Sequence, residues 1–424
     1  MSEQRDPITQ VVASNLCTGC GACAGKFPDL IQMVDDPVNG RRPVVTPGPA
    51  GDAASADAMA VCAGAGADHA SLPIRDQLEE DWGPILATWE GWAADSEIRH
   101  RGSSGGAGSA LAVWMVENGE ADGALHIAQR AEDPRLNEGV ISKDRTGLLN
   151  GAGSRYAQAS PLERLADIKS GSDRIAVIGK PCDIASAAKA CATDPDLAAR
   201  VPATIAIFCA GAPNLVATDR LLNRLGVPKD GKLTDLRYRG SGWPGLMQAK
   251  WTDETGAEHE SEGITYAEGW GRILQAERRW RCRICADHTG EFADISVGDP
   301  WHDPPEGDLD EGRSLIVART ERGVRLVEAA IAAGAIVATA STREIIAAAQ
   351  PNLLDTRGAV WGRRWAMRLT LMRLPKDRGL HMFRLWLTRL SFKAKLQSVG
   401  GALKRIIRAK LWKPVRIKPM EPRE

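Results

Sequence analysis

Residues 173–182 read Asp-Arg-Ile-Ala-Val-Ile-Gly-Lys-Pro-Cys, and residues 203–209 read Ala-Thr-Ile-Ala-Ile-Phe-Cys. Each contains a short apolar run, which is typical of a buried strand, and each ends in a cysteine. The Ala-rich segment between them predicts a helix from about Ile184 to Ala190. This order makes a βαβ unit, whose crossover returns the two strands parallel and usually as neighbours. The stretch therefore predicts an α/β fold.

The same alternation extends along the chain in both directions. The other strand-like runs begin at Ile85, Asp122, Ala293, Ser314 and Ala335, and helical patterns cover residues 101–118 and 322–332. Such alternation favours a mainly parallel sheet with flanking helices. We expect two α/β parts at residues 80–175 and 176–345, an N-terminal iron-sulfur module at 1–75 and a basic helical C-terminal tail at 357–424.

Cysteines follow both strands of the βαβ unit. Cys182 and Cys209 are expected side by side, because neighbouring parallel strands end at the sheet edge where α/β folds bind ligands. Cys282 and Cys285, on a polar loop before the strand at Ala293, would close a four-thiolate site. Four thiolates are the usual ligands of an iron–sulfur cluster. The leftover Cys191 is expected to be a buried core thiol.

A second group of cysteines lies near the N-terminus, where Cys17, Cys20 and Cys23 have the spacing C-x2-C-x2-C. This is the first part of the bacterial iron–sulfur run, which continues with a fourth cysteine and a proline. Phe27 and Pro28 stand there instead, so Cys62 is the nearest candidate for a fourth ligand. Zinc is the alternative metal, although its sites usually use less crowded pairs of cysteines.

Composition and the N-terminal residues bear on the compartment. The first residues contain no apolar signal segment, and nine cysteines in 424 residues do not make a disulfide scaffold. No run of 18 uninterrupted apolar residues occurs, so no membrane span is expected. A reducing cytoplasm is the expected setting, which suits metal clusters rather than disulfides.

The net charge of zero hides an uneven distribution. Residues 357–424 contain 19 Lys and Arg but 3 Asp and Glu, a net charge of +16. In the segments Met382–Leu390 and Leu403–Trp412, apolar residues recur at helical spacing with Arg and Lys between them. Such helices lie on an anionic membrane surface, pack on the acidic body or dock on a partner, and all three readings stay open. No nucleic-acid-binding motif accompanies the charge, so no nucleic acid partner is expected.

Three loops group glycines with hydroxyls, cations or aromatic residues, namely Arg101–Gly106, Gly153–Tyr156 and Arg237–Gly245. Glycine-rich helix starts bind phosphate through free N–H groups, but each loop alone is also compatible with an ordinary turn. The sequence contains no dinucleotide fingerprint, P-loop or nucleophile elbow. It therefore gives no support to an ordinary NAD site, an ATP site or a hydrolase.

These motifs, in this order, resemble the coenzyme F420 hydrogenase/dehydrogenase beta subunit family. The resemblance runs from about Cys17 to about residue 345. It rests on the N-terminal cysteine run, Ser103-Ser-Gly-Gly106, Gly153-Ser-Arg-Tyr156, Gly179-Lys-Pro-Cys182-Asp, Phe208-Cys209, Arg237-Tyr-Arg-Gly-x-Gly-Trp-Pro-Gly245 and the segment Arg281–Asp299.

The resemblance implies FAD and a 4Fe-4S cluster in the α/β body, and a second 4Fe-4S cluster at the N-terminus. The implied cluster ligands are Cys182, Cys209, Cys282 and Cys285 in the body, and Cys17, Cys20, Cys23 and Cys62 in the N-terminal module. The implied flavin-binding residues are Ser103, Ser104, Gly105, Gly106, Gly153, Ser154, Tyr156, Gly179, Pro181 and Trp243. Lys180, Arg101 and Arg155 are the candidates for tuning the flavin through their charge.

The expected function is an iron–sulfur flavoprotein oxidoreductase. It would pass electrons from a ferredoxin-type donor through two 4Fe-4S clusters and FAD to a small two-electron organic acceptor. One alternative is a deazaflavin (coenzyme F420) oxidoreductase or electron-transfer subunit of a larger complex. Another is a membrane-surface accessory protein in envelope or polysaccharide assembly that retains the redox fold. The expected location is the cytoplasm, at the inner face of the membrane if the tail binds lipid.

Overall fold

A computed structural model of the chain describes residues 6–71, 78–79, 81–304 and 309–420. The predicted domain limits at residues 1, 75, 80 and 424 lie outside these residues.

The strands are β1 (Ile31–Val34), β2 (Arg42–Val45), β3 (Leu78–Glu79), β4 (Gly83–Pro84), β5 (Ala87–Ala93), β6 (Gly123–Gln129), β7 (Asn137–Ser142), β8 (Ile175–Gly179), β9 (Thr204–Ile207), β10 (Lys232–Arg237), β11 (Trp243–Pro244), β12 (Gln248–Thr252), β13 (Glu258–Glu260), β14 (Ile295–Gly298), β15 (Leu309–Asp310), β16 (Ser314–Ala318) and β17 (Ile336–Ser341). The α-helices are α1 (Pro7–Ala13), α2 (Ala22–Lys26), α3 (Pro49–Ala58), α4 (Ser96–Arg101), α5 (Ala107–Glu117), α6 (Arg145–Asn150), α7 (Leu165–Ser170), α8 (Pro181–Thr193), α9 (Pro195–Arg200), α10 (Leu215–Arg224), α11 (Tyr266–Glu268), α12 (Trp280–Arg283), α13 (Glu321–Ala332), α14 (Ile345–Ala349), α15 (Leu353–Leu369), α16 (Met382–Thr388) and α17 (Phe392–Ala409).

An eight-stranded sheet lies at the centre, in the order β17-β5-β16-β14-β9-β8-β6-β7. The four strands β14, β9, β8 and β6 pair in parallel, and the strands outside them pair antiparallel. β8 and β9 are neighbours, as the βαβ pattern predicts. The α/β fold class is therefore confirmed, with its parallel pairing at the centre of the sheet.

Helices cover both faces of this sheet. In β8, Ala176 packs with α5 and α13 into one apolar core. Its neighbours Ile175 and Val177 pack with α7, α8 and α9 into another. Successive residues of a strand point to opposite faces, so β8 needs apolar residues throughout. This explains why the strand reads as a continuous apolar run.

Three predicted elements have different limits. α8 begins at Pro181, so Cys182 lies in the first turn of the helix rather than in a loop after the strand. Proline is favoured at the first helical position because its missing N–H has no intrahelical partner there. Cys282 lies in the short helix α12 rather than on a loop. The helix predicted over residues 101–118 is α5, which begins only at Ala107; Arg101 ends the preceding helix α4, and Ser103–Gly106 lie in the loop between the two.

The N-terminal module contains α1, α2, α3 and the β1–β2 pair. Its own core is formed by Ile8, Ala24, Ile31 and Ala58. The cysteine run does not stand apart from the body, because Cys20 and Ala22 share an apolar core with α8.

The basic tail is helical, as predicted, and its buried faces pack on the body. Residues of α15 and α17 form a core with the N-terminal module and α12, and its members include Val11, Leu16, Trp280, Ala366, Met367, Ala402 and Ile406. The buried ion pair of Arg357 with Glu291 adds to this contact. A second buried pair, Arg364 with Asp377, lies within the tail itself. Among the described residues, no helix is both long and apolar enough to cross a membrane.

Candidate functional site

The four body cysteines line one cavity at the carboxyl edge of the sheet. Cys182 comes from the first turn of α8 and Cys209 follows β9, while Cys282 and Cys285 come from α12 and the residues after it. The structure thus brings together four thiols that are more than 100 positions apart at the extremes of the sequence. We call this group the body cysteine site.

Positive charge and N–H groups surround the body cysteine site. The backbone N–H of Gly211 donates to Cys209 Sγ at 3.3 Å, and that of Ala212 donates to Cys282 Sγ at 3.4 Å. Arg279 and Arg281 each have a buried Nε and Nη1 that find no hydrogen-bond partner in the described part of the chain. Buried guanidinium donors without partners are costly, so an anionic group at the cysteines would satisfy them.

These surroundings act differently on the four thiols. Burial raises the pKa of Cys182, and it raises the pKa of Cys209 to about 11 and that of Cys285 to about 12. Burial also opposes ionisation of Cys282, but Arg279, the N–H of Ala212 and Arg281 outweigh it and lower the pKa of this thiol. Of the four body cysteines, Cys282 is therefore the one that loses its proton most readily, and the thiolate is the form that binds metal.

The N-terminal cysteines form a second group that includes Cys62. Burial is the main cause that raises the pKa of Cys23, and Cys20, Cys17 and Cys62 add to it as neighbouring charges. Burial likewise raises the pKa of Cys62 to about 12, with Cys20 and Cys17 adding to the rise. The structure therefore places Cys62 with the C-x2-C-x2-C run. We call this group the N-terminal cysteine site.

The two cysteine sites are neighbours. Arg42 lies close to Cys17 of one site and Cys282 of the other, and burial followed by the repulsion from Arg279 lowers its pKa to about 10. Thr18, next to Cys17, lines the cavity of the body cysteine site. On the other side, Cys20 Sγ donates to Ser186 Oγ of α8 at 3.3 Å. Among the described residues, no three His, Cys, Asp or Glu side chains are placed to hold a single metal ion.

A larger cavity, with a volume of about 280 Å³, adjoins the body cysteine site. Gly179 and Lys180 line this cavity, together with two of the loops that the sequence singles out. The lining residues from these two loops are Ser103, Ser104, Gly106, Gly153, Ser154, Arg155 and Tyr156. Lys180 and Cys209 border both cavities. The organic pocket and the four-thiol cavity thus share a wall.

Close backbone contacts hold the two loops in place. Gly106 has φ +72°, and a Cβ there would lie 2.7 Å from the carbonyl oxygen of Ile98. Gly153 has φ +92°, in the left-handed region that favours glycine. Ser154 Oγ donates to Ser103 Oγ at 2.8 Å, which ties one loop to the other.

Lys180 is a buried cation at the shared wall. Its Nζ lies 2.6 Å from Asp183 Oδ2, and its backbone N–H also donates to that oxygen at 3.0 Å. Burial opposes the charge, but Asp183 and then Cys182 outweigh it and raise the pKa of Lys180 above its ordinary value. Lys180 is therefore protonated at neutral pH.

The other predicted residues have different positions. Arg155 lines the cavity, but its guanidinium donates to Asn137 Oδ1 and to the carbonyl oxygens of Leu236 and Pro134. Arg101 is not among the cavity-lining residues, and its side chain pairs with Glu97 at 3.3 Å. Three of the predicted flavin-binding residues, Gly105, Pro181 and Trp243, do not line the large cavity either. Pro181 borders the body cysteine site, Trp243 is buried, and the N–H of Gly105 donates to Ser314 Oγ at 3.0 Å.

Sequence reasoning missed an ion pair in the cavity wall. Arg239 donates to both carboxylate oxygens of Asp299, at 2.9 and 2.6 Å, and Trp243 Nε1 donates to the same carboxylate at 2.9 Å. The Arg239 guanidinium also lies over the rings of Tyr266 and Trp301, at 5.0 and 5.8 Å from their centroids. Both ends of the pair fall within quoted motifs, Arg237–Gly245 and Arg281–Asp299, but 60 residues separate them, so sequence spacing gave no sign of their contact.

Comparison with known proteins gives matches over this same region. Residues 88–166 match the family model of the coenzyme F420 hydrogenase/dehydrogenase beta subunit N-terminal part, and residues 172–344 match that of its C terminus. Together they cover more than half of the chain, and they include the four body cysteines and both loops of the large cavity.

Among curated proteins, the chain is 24% identical over 334 residues to a coenzyme F420-dependent sulfite reductase from Methanocaldococcus jannaschii, which covers 76% of this chain and 47% of that protein. It is also 24% identical over 255 residues to the coenzyme F420 hydrogenase subunit beta of Methanosarcina barkeri, covering 57% of this chain and 77% of the relative. The chain thus spans about half the length of the first relative.

The fold is similar to a chain of the F420-reducing NiFe hydrogenase complex from Methanosarcina barkeri. The TM-score is 0.51 at 20% sequence identity, with 67% of this chain and 94% of that chain covered. With the two family matches, the chain belongs to the coenzyme F420 hydrogenase/dehydrogenase beta subunit family.

Proposed function

We propose that the chain is an iron–sulfur flavoprotein oxidoreductase that passes electrons from a ferredoxin-type donor through two 4Fe-4S clusters and FAD to a small two-electron organic acceptor. The observation that carries the proposal is the wall that the two cavities share at Lys180 and Cys209. Clusters pass single electrons, whereas a flavin collects two and delivers a hydride equivalent, so adjoining sites would join one-electron to two-electron chemistry.

The residues at both cysteine sites fit iron–sulfur clusters. Each site supplies four cysteines, which is the ligand number of a 4Fe-4S cluster. A cluster held by four thiolates is an anion, and the unpaired donors of Arg279 and Arg281 would compensate its charge at the body cysteine site. Arg42, close to Cys17 and Cys282, would do so for both sites.

The residues that line the large cavity suit the phosphates and the ring system of a dinucleotide such as FAD. The first turn of α5 opens into it through Ala107, Gly108 and Ser109. The N-cap residue Gly106 has no side chain to cap this helix, and among the described residues Ser314 Oγ accepts from the N–H of Ala107 at 3.4 Å but no side chain accepts from those of Gly108 and Ser109. Uncapped N–H groups and the helix dipole favour a phosphate there, and small residues permit close approach. Tyr266 and Trp301 supply flat aromatic walls for a ring system.

Within the proposed reaction, Lys180 would keep a positive charge beside the isoalloxazine ring. A fixed cation stabilises negative charge that develops on a reduced flavin. Asp183 holds the Lys180 ammonium in place and keeps it protonated. Tyr266 and Trp301 would exclude water from the same pocket.

A group of four arginines supports an acidic protein as the donor. The four are Arg278, Arg283, Arg363 and Arg405. Burial of Arg283, followed by repulsion from the other three, lowers its pKa to about 10. The pKa of Arg363 falls to about 10 for the same reasons. Among the described residues, no carboxylate pairs with any of the four, and three of them donate to backbone carbonyls instead. Arg278 is also one of the cations that act on Cys282. Carboxylates on a partner would relieve this repulsion next to the body cysteine site.

The double substitution Arg283→Glu with Arg405→Glu is expected to slow reduction of the protein by reduced ferredoxin by about tenfold or more at low salt, because steering by opposite charges would be lost. Stopped-flow reduction measures this, with dithionite as a small reductant that needs no docking surface. Arg272→Glu, an exposed arginine outside the group, is the control. An equal loss with dithionite would contradict docking, because it would show damage to the redox sites.

Anaerobic purification followed by metal and flavin analysis tests the main proposal. We expect about eight irons per chain and one releasable FAD, with absorbance in the visible range. Colourless protein, or zinc in place of iron, would overturn it.

A coenzyme F420-linked function is the second candidate, and the names of the relatives favour it. In this case the deazaflavin would exchange electrons at the large cavity, and a catalytic subunit would be required. Mixing the purified protein separately with reduced ferredoxin and with reduced coenzyme F420 distinguishes the two. Flavin bleaching by the deazaflavin alone would select the second candidate.

A further inference from the structure

A ladder of aromatic and basic side chains crosses the tail on the side exposed to solvent. Its steps join α15 to α16 and α17: Trp365 to Arg368 at 5.3 Å, Arg368 to Trp361 at 5.6 Å, Trp361 to Phe383 at 5.0 Å, Phe383 to Trp386 at 6.4 Å, and Trp386 to Lys395 at 5.4 Å. The exposed parts of three helices are therefore one continuous surface.

Exposed apolar side chains concentrate in the same part of the chain, on these helices and in the residues just after α15 and α17. Of the thirteen large apolar side chains that are exposed among the described residues, nine belong to the tail and are 45–95% exposed: Trp365, Leu369, Leu371, Phe383, Leu387, Phe392, Leu396, Ile407 and Trp412. The other four are scattered over the rest of the described chain. Large apolar surfaces of this kind mark interaction sites.

The exposed apolar stripe of α17 is distinct from its packing face. Ser398, Ala402 and Ile406 are buried against the body. Phe392, Leu396 and Ile407 recur at intervals of four and eleven residues, which places them on one side of the helix. An amphipathic helix that has already buried one face has no structural need for a second apolar stripe.

Basic residues that form no ion pair with any described residue border this stripe. Lys393, Lys404 and Arg408 are exposed on α17. Asp377 is the one acidic residue between positions 357 and 420, and it is buried against Arg364. A surface of apolar and aromatic tips with Lys and Arg beside them matches the boundary between lipid headgroups and acyl chains.

We propose that this face, formed by the exposed side chains of α15, α16 and α17, binds an anionic membrane surface. The apolar tips would enter the headgroup region, and the long basic side chains would reach lipid phosphates. The membrane is favoured over an acidic protein because the ladder places cations against the exposed ring of Trp365 and the half-buried rings of Trp361 and Trp386, and amphipathic residues of this type collect at membrane interfaces. The body would then lie on the surface of the bilayer, held there by these three helices.

Vesicle sedimentation of the full chain tests this. Vesicles of phosphatidylcholine with phosphatidylglycerol are expected to retain the protein, and pure phosphatidylcholine vesicles much less. Lys393→Glu, Lys404→Glu and Arg408→Glu together should weaken binding by at least about tenfold, and raised salt should act in the same direction. The apolar variant Leu369→Ser, Phe392→Ser and Leu396→Ser should weaken it as well.

Two matched controls separate the face from general effects. Val38→Ser with Val44→Ser and Val337→Ser removes exposed apolar residues of the body, and Lys229→Glu with Lys232→Glu and Arg272→Glu reverses exposed charges there. Both should bind as the parent does. Absent binding to anionic vesicles, or equal effects of tail and body variants, would overturn the proposal. Binding of an acidic protein by the face without vesicle binding would identify a protein interface instead. Iron and flavin contents are read separately, so failure here leaves the proposed redox function untouched.

Discussion

Replacing Cys282 with serine is expected to lower the iron content from about eight to about four per chain and to abolish electron transfer to any two-electron acceptor. Cys282 is the body thiol whose pKa the surrounding Arg279 and Arg281 lower, although burial opposes them. Removing it takes away the ligand best prepared as a thiolate and leaves the guanidinium groups facing an incomplete site. Iron analysis and visible absorbance of anaerobically purified protein measure the change.

Two further cysteine variants make this result specific. Cys191→Ser alters a thiol that lies outside both cysteine sites, so this control should keep about eight irons. Cys62→Ser tests the fourth ligand of the N-terminal site and should also leave about four irons, with the body cluster intact. An unchanged iron content in Cys282→Ser would contradict the assignment of the body cysteine site.

Replacing Arg239 with methionine is expected to destabilise the protein by about 3 kcal/mol or more and to empty the flavin site. The variant keeps an unbranched apolar stem but leaves the Asp299 carboxylate without its bidentate partner in the cavity wall. Arg239 also donates to the carbonyl oxygen of Ser103, so the Arg101–Gly106 loop, which lines the proposed flavin site, would lose an anchor. Urea unfolding and the flavin content of the folded fraction report the two effects.

The control for Arg239→Met is Arg325→Met. Arg325 also donates to a carboxylate with two nitrogens, at 2.9 and 3.0 Å from Glu120, but this pair lies at the surface. Exposed ion pairs contribute about 0–1 kcal/mol, so the control should change the unfolding midpoint little. Arg239→Lys should restore only part of the stability, because an ammonium cannot make the paired contact. An unchanged midpoint and full flavin content in Arg239→Met would contradict the role of this ion pair.

Local sequence patterns were sufficient for the centre of the fold. The apolar runs that became β8 and β9 carry their own signal, because a strand covered on both faces must be apolar throughout. The antiparallel flank could not be predicted in the same way. β5 pairs with β16 and β17, more than 200 positions later, and nothing local to Ala87–Ala93 specifies that partner. β7, with the polar sequence Asn-Glu-Gly-Val-Ile-Ser, lacks the alternation that marks a strand.

The candidate site shows a similar division. Cysteine spacing and the βαβ rule indicated which thiols would meet, because both depend on the backbone path. The direction of a long side chain does not follow from either. Arg155 lies in the predicted loop, yet its guanidinium donates to Asn137 and to two backbone carbonyls. Pro181, in contrast, was a readable signal: a proline at the first helical position indicates that α8 begins before Cys182.

Helix α8 has a consequence for the timing of electron transfer. Cys182 in its first turn belongs to the body cysteine site, Asp183 holds Lys180 at the shared wall, and Ser186 contacts Cys20 of the N-terminal site. Four residues of helix rise by about 6 Å, so the first turn of α8 keeps the body cysteine site, the Lys180 wall and the N-terminal cysteine site at fixed distances from one another. Tunnelling rates fall steeply with distance, and a helix buried on both sides cannot stretch. Along the proposed path of electrons, the rise of this one helix would set the distances between the centres.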